Sequence, residues 1–153
     1  MRKVNLVIIA CILVFLFSWL SNPELIIEYL AFSGDNLIKG RAWTLVTSLF
    51  LHADILHLAG NMLFLYLFGN TLEEELGATK TLAIFFTGGM ITFPLSLIFY
   101  DMGTLLIGAS AAIFSLAAVV MLIKPLKLSL LFLPQGLIAI LYFVYNALAI
   151  YSG

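Results

Sequence analysis

Asp54-Ile55-Leu56-His57-Leu58-Ala59-Gly60-Asn61-Met62-Leu63-Phe64-Leu65-Tyr66-Leu67-Phe68-Gly69-Asn70-Thr71-Leu72 is the stretch on which the fold turns. Its length and apolar content suit a helix that crosses a bilayer, which takes about 20 residues. Yet it carries a histidine and an asparagine near its start. They stand four residues apart, so a helix presents both on one face. Asp54 precedes the run where a carboxylate can cap free first-turn amides. Polar side chains at membrane depth are costly and mark either function or interhelical contact.

Outward from this stretch the chain has the same character. Of 153 residues, 63% are hydrophobic and 10% charged. Mean hydropathy is +1.16. A water-soluble domain of this size lacks the volume to bury so much apolar surface. Further apolar runs lie at roughly 4–20, 81–100, 103–123 and 134–151. The sequence therefore predicts an all-α integral membrane protein, one domain over 1–153, with five transmembrane helices including 54–72. The first run is read as a retained helix, because Ser18-Trp19-Leu20-Ser21 makes a poor cleavage site. Pro94 is expected to bend the third helix, and Lys124-Pro125 to end the fourth. Arg2, Lys3, Lys80, Lys124 and Lys127 fall on one side of these spans, and Lys39 and Arg41 on the other. The positive-inside rule then puts the N-terminus in the cytoplasm and the long 21–53 loop outside.

In this topology two places carry chemistry. His57 and Asn61 lie in the outer half of the second helix. Gly108-Ala109-Ser110-Ala111-Ala112 opens the fourth, also on the outer side. Taken singly, the pair reads first as interhelical glue, and Ser110 as part of a packing face continued by Ser115, Ala117 and Ala118. Taken together they put a hydroxyl and two side-chain donors at one depth, which a serine nucleophile with an oxyanion site requires.

From about Gly40 to the end the chain resembles the rhomboid family of intramembrane serine proteases. The resemblance rests on Trp43 to His52, on the His57-x-x-x-Asn61 pair, on Leu72-Glu73 with Leu76-Gly77, and on Gly108-x-Ser110. It implies a six-helix bundle, five of whose helices are present here. It implies Ser110 as nucleophile, and His57, Asn61 and the Ser110 amide as oxyanion site. His52 matches a histidine at the active-site mouth, and Glu73 a structural, loop-fixing carboxylate. The family's base is a histidine on the sixth helix. Substrates are transmembrane proteins, cut on the extracellular side of the cell membrane. Where the family has glycine after the serine, this chain has Ala111. Phe114 replaces a frequent tyrosine, and Thr44 a frequent arginine.

Both histidines of the chain precede Ser110. Lys124, fourteen residues on, would be about 21 Å away along a helix. The chain is therefore expected to be a C-terminally incomplete piece, inactive alone. Two other readings stay open: a non-catalytic rhomboid-like protein that binds transmembrane helices, and a small transporter subunit. No cofactor or metal is expected, since two histidines and scattered carboxylates have no ligand spacing. A net charge of −1 gives no case for nucleic acid. Cys11 alone excludes an intrachain disulfide. Oligomeric state is not legible.

Overall fold

A computed structural model describes residues 2–152, with side chains at all of them except Pro23 and 147–152. The regular secondary structure of the described residues is helical, apart from isolated bridges between loops. In chain order the helices are α1 (Lys3–Leu20), α2 (Pro23–Leu30), α3 (Gly34–Ile38), α4 (Thr44–Thr47, extended by a 3-10 turn Ser48–Phe50), α5 (Ile55–Phe64), α6 (Asn70–Leu76), α7 (Ala78–Ser96), α8 (Ser110–Ile123) and α9 (Gln135–Ser152). A π turn at Leu65–Gly69 joins α5 to α6. Among the described residues two stretches are long and apolar enough to cross a membrane: Lys3–Leu20, and Ile55–Leu76 taken as one rod.

α8 is the hub. Ala112, Ile113, Leu116, Ala117 and Val120 on it are buried. Small residues let α7 come close. A Cβ built on Gly88 would overlap Ser115, and one on Gly89 would stand 2.5 Å from Leu49 Cδ2 and 3.3 Å from Ala112 Cβ. Leu49 and Gly89 thus bring the turn after α4 into the same seam.

The first loop is more ordered than its Pro, Gly and charge content predicts. Asn22 caps α2, its carbonyl oxygen accepting from the amides of Glu24 and Leu25. Ser33 caps α3. Asn36 Nδ2 donates to the carbonyls of Glu28 and Ala31, joining the two helices. Arg41 donates to Asn36 Oδ1 at 2.9 Å, and its guanidinium lies 4.4 Å over the Tyr29 ring. Thr44, where the resemblance expects a basic side chain, is buried and donates to Arg41 O.

One helix starts later than the sequence predicts. Hydropathy carries the fourth apolar run back to 103, but α8 begins at Ser110. Residues before it are held in extended contact with the first loop. Phe32 N donates to Leu106 O at 3.1 Å, and Leu106 N to Phe32 O at 2.7 Å. Gly108, at φ +115°, then turns the chain into the helix. Hydropathy does not distinguish such a strap from a helical turn. Similarly, α7 spans Ala78–Ser96 rather than 81–100, unwinding just after Pro94.

Candidate active site

His57 sits in the first turn of α5. Its amide donates to Asp54 Oδ1 at 2.8 Å, so the expected cap is present and fixes the start of the helix. Asn61 follows one turn later, on the same face and 5% exposed. The strap before α8 lies across this face. Gly108 N donates to Ser48 O at 2.9 Å, which pins the strap to the turn after α4. A Cβ on Gly108 would stand 2.8 Å from His57 Nε2 and 3.6 Å from Asn61 Nδ2. Only a glycine passes there. The structure thus brings His57, Asn61 and Gly108 into contact, with Ser110 two residues beyond.

Ser110 is the first residue of α8. The first amides of a helix have no intrahelical partner and carry the positive end of its dipole. Among the described residues the Ser110 hydroxyl makes no hydrogen bond. Asn61 Nδ2 is likewise buried and without a partner. The site therefore holds two unused donors, the Asn61 amide and the helix terminus, beside a free hydroxyl. Donors so arranged can stabilise negative charge on an oxygen.

Tyr142 of α9 belongs to this site, and sequence reasoning missed it. Its ring is buried between Phe64, at 4.3 Å, and Phe114, at 4.7 Å. Its hydroxyl lies 3.4 Å from both Asn61 Oδ1 and Ser110 O. Contact with Asn61 Oδ1 turns Nδ2 away from the bundle core, toward Gly108. No sequence signal set it apart, since α9 also carries Tyr145 and Tyr151. Phe114, expected as a departure from the family, packs its ring on Tyr142.

His52 lies at the edge of the site, its ring 5.1 Å from that of His57. Burial first, then neighbouring His57, pushes its imidazole down to about 4. Folded His52 thus stays neutral where the unfolded ring, near 6.5, takes up a proton. Stability is full above pH 6.5 and should fall between pH 6.5 and 4, by at most about 1.4 kcal/mol per pH unit from this group. Thermal unfolding in detergent at pH 7.5 and 4.5 checks this. The loss should shrink in His52→Leu; an unchanged loss would assign it elsewhere.

Glu73 is away from the site, at the other end of α1. Its two oxygens accept from the amides of Lys3, at 2.7 Å, and Val4, at 2.8 Å. It is the cap of α1. Beside it, Arg2, Glu74, Glu75, Lys124 and Lys127 form a chain of ion pairs at 3.1–3.3 Å. Among the described residues no cluster of three or more His, Cys, Asp or Glu is placed to hold a metal ion.

Comparison with known proteins identifies the family. A family model described as the Rhomboid domain matches residues 39–152. The rhomboid protease GlpG of Salmonella choleraesuis (strain SC-B67) is 30% identical over 79 residues, 52% of this chain and 29% of that protein. Those of Salmonella newport (strain SL254) and Salmonella heidelberg (strain SL476) are 29% identical over the same extents. The matched part is less than a third of each relative's length. A family match over well more than half of the sequence, from the end of α3 to the end of α9, makes this chain a member of the rhomboid family.

Proposed function

We propose that the chain is the core of a rhomboid-like intramembrane serine endopeptidase acting on transmembrane proteins. The observation that carries this reading is the contact of Gly108 with His57 and Asn61, which sets the start of α8 against the two polar residues of α5. In the proposed reaction Ser110 Oγ attacks the carbonyl carbon of the scissile peptide, and its proton passes to a base. The oxyanion accepts from Asn61 Nδ2, from His57 and from the Ser110 amide. Collapse of the intermediate expels the new amine with a proton, and water then hydrolyses the acyl ester. In the family the base is a histidine on a sixth helix. Five of the six helices are assigned to α1, the α5–α6 rod, α7, α8 and α9. The end bearing Arg2, Lys124 and Lys127 is placed in the cytoplasm, and the Ser110 end outside the cell membrane.

A fluorophosphonate applied to the product of the native locus in membranes tests this. It should modify Ser110 and no other serine, as mapped by peptide mass. Modification elsewhere, or none, would sink the nucleophile assignment. One observation favours a second reading, a non-catalytic protein that holds transmembrane helices: Ala111 follows Ser110 where the family has glycine, and the Ser110 hydroxyl is without a partner among the described residues. That reading predicts helix capture indifferent to Ser110→Ala, and no labelling.

Tyr142→Phe separates positioning from packing. The ring contacts with Phe64 and Phe114 survive and only the hydroxyl is lost. Labelling of Ser110 should slow about fivefold, for about 1 kcal/mol of lost hydrogen bonding, with little change in thermal stability. Equal labelling rates would remove Tyr142 from the site.

A further inference from the structure

A cavity of about 580 Å³ opens between the outer half of α1, α2 and the start of α5. Its size falls within the ~300–1,000 Å³ of small-molecule sites. Its walls are apolar: Ile12, Phe15 and Leu16 of α1, Ile27 of α2 and Leu58 of α5. Yet Ser18 and His52 also line it, and both carry a buried polar atom without a partner, Ser18 Oγ and His52 Nε2. Only Asn61 and Gln135 share that condition among the described residues. His52 is 7% exposed.

The hydrogen-bond sense at His52 is determined. Its Nδ1 faces Phe50 O at 3.3 Å, and a carbonyl only accepts. Nδ1 therefore carries the proton, and Nε2 offers a lone pair. What satisfies it must be a donor. Asp54 stands in the same lining, so a carboxylate or phosphate headgroup meets like charge there. Access is from the bilayer. Ile12, Leu16 and Trp19 on α1, with Ile55 on α5, line the cavity yet are exposed at its rim and suit hydrocarbon.

We propose that this cavity is a lipid site, taking one acyl chain whose uncharged headgroup donates hydroxyls to His52 Nε2 and Ser18 Oγ. A monoacylglycerol has this chemistry. Its headgroup would lie beside His52, whose ring is 5.1 Å from that of His57 in the candidate active site, so occupancy and the chemistry there would be neighbours. The proposal does not depend on the protease reading.

Trp19 lines the cavity and reports on it. In a Trp43→Phe background it is the only tryptophan, since the chain has two. The full chain is placed in phosphatidylcholine bilayers and titrated with three lipids brominated on the acyl chain: a monoacylglycerol, a free fatty acid at pH 8, and phosphatidylcholine. The monoacylglycerol should reach half-quenching at a mole fraction at least fivefold below the other two. His52→Leu should erase most of that difference. Ile12→Phe fills the cavity from α1 without touching the polar pair, and carries the test if His52→Leu fails to insert. Identical curves for the three lipids would overturn the proposal, as would a monoacylglycerol curve that neither variant moves. Fatty acid quenching as well as monoacylglycerol would overturn the donor argument. Absence of quenching above the phosphatidylcholine level would leave the cavity to a peptide segment.

Discussion

Gly108→Ala should slow fluorophosphonate labelling of Ser110 by about 100-fold, the loss expected when reacting groups move apart by about 1 Å. Two effects combine. At φ +115° an alanine is strained, costing on the order of 1–3 kcal/mol. The new methyl would also stand 2.8 Å from His57 Nε2 and 2.9 Å from Cε1. The His57 ring can turn, but the backbone on both sides is fixed. The His57 amide is held by Asp54, and Gly108 N is held by Ser48 O. Either the ring rotates away from the oxyanion site or the strap lifts and takes the first turn of α8 with it. Gly60→Ala is the control. Gly60 lies in α5 between His57 and Asn61, but a Cβ there meets nothing within 4 Å. That variant should label at the parent rate. Circular dichroism should show both variants helical. Equal labelling of Gly108→Ala and the parent would mean that the close approach at Gly108 does not set the site.

What was legible in the sequence follows from periodicity and from cost. Helical spacing put His57 and Asn61 on one face, and the expense of polar groups in an apolar run singled them out together with Ser110. The cap at Asp54 was legible because its signal is local. Contacts between distant segments were not. Hydropathy cannot see that Leu106 pairs with Phe32, so it extended the fourth helix back to 103. The short α2 and α3 helices of the first loop carry local caps at Asn22 and Ser33, but their apolar runs are too short to read as helices, and the Asn36 bonds that join them show only once Glu28 and Ala31 are placed. Tyr142 looked like one more aromatic on α9. Its role comes from lying between Phe64 and Phe114 with its hydroxyl near Asn61, and no spacing rule joins residues 81 positions apart. Membrane spans are partly legible. Composition marks five runs, while length and hydropathy among the described residues single out α1 and the α5–α6 rod.

Glu73→Ala should destabilise the protein more than any change to the neighbouring ion pairs. The Glu73 carboxylate accepts two short backbone hydrogen bonds, from Lys3 and Val4. These amides lie in the first turn of α1 and have no intrahelical partner. Hydrogen bonds to a charged group contribute about 1.5–3 kcal/mol each. Loss of both should cost about 3 kcal/mol, with solvent near Lys3 offsetting part of it. Glu73→Gln keeps an acceptor for one amide only and should fall between. Glu74→Ala removes exposed pairs to Arg2 and Lys127, which solvent screens, and should leave stability near the parent's. The contrast extends to the site. Val4 packs where a Cβ on Gly69 would stand, 2.5 Å from Val4 Cγ1, so the start of α1 braces the π turn below Asn61. Freed from its cap, α1 should fray at that end and loosen the turn. Slower labelling of Ser110 would then accompany the lost stability in Glu73→Ala, and not in Glu74→Ala. Unfolding in mixed micelles measures the first effect. A Glu73→Ala protein within about 0.5 kcal/mol of the parent, the range of an ordinary surface change, would show that α1 holds its place by apolar packing alone.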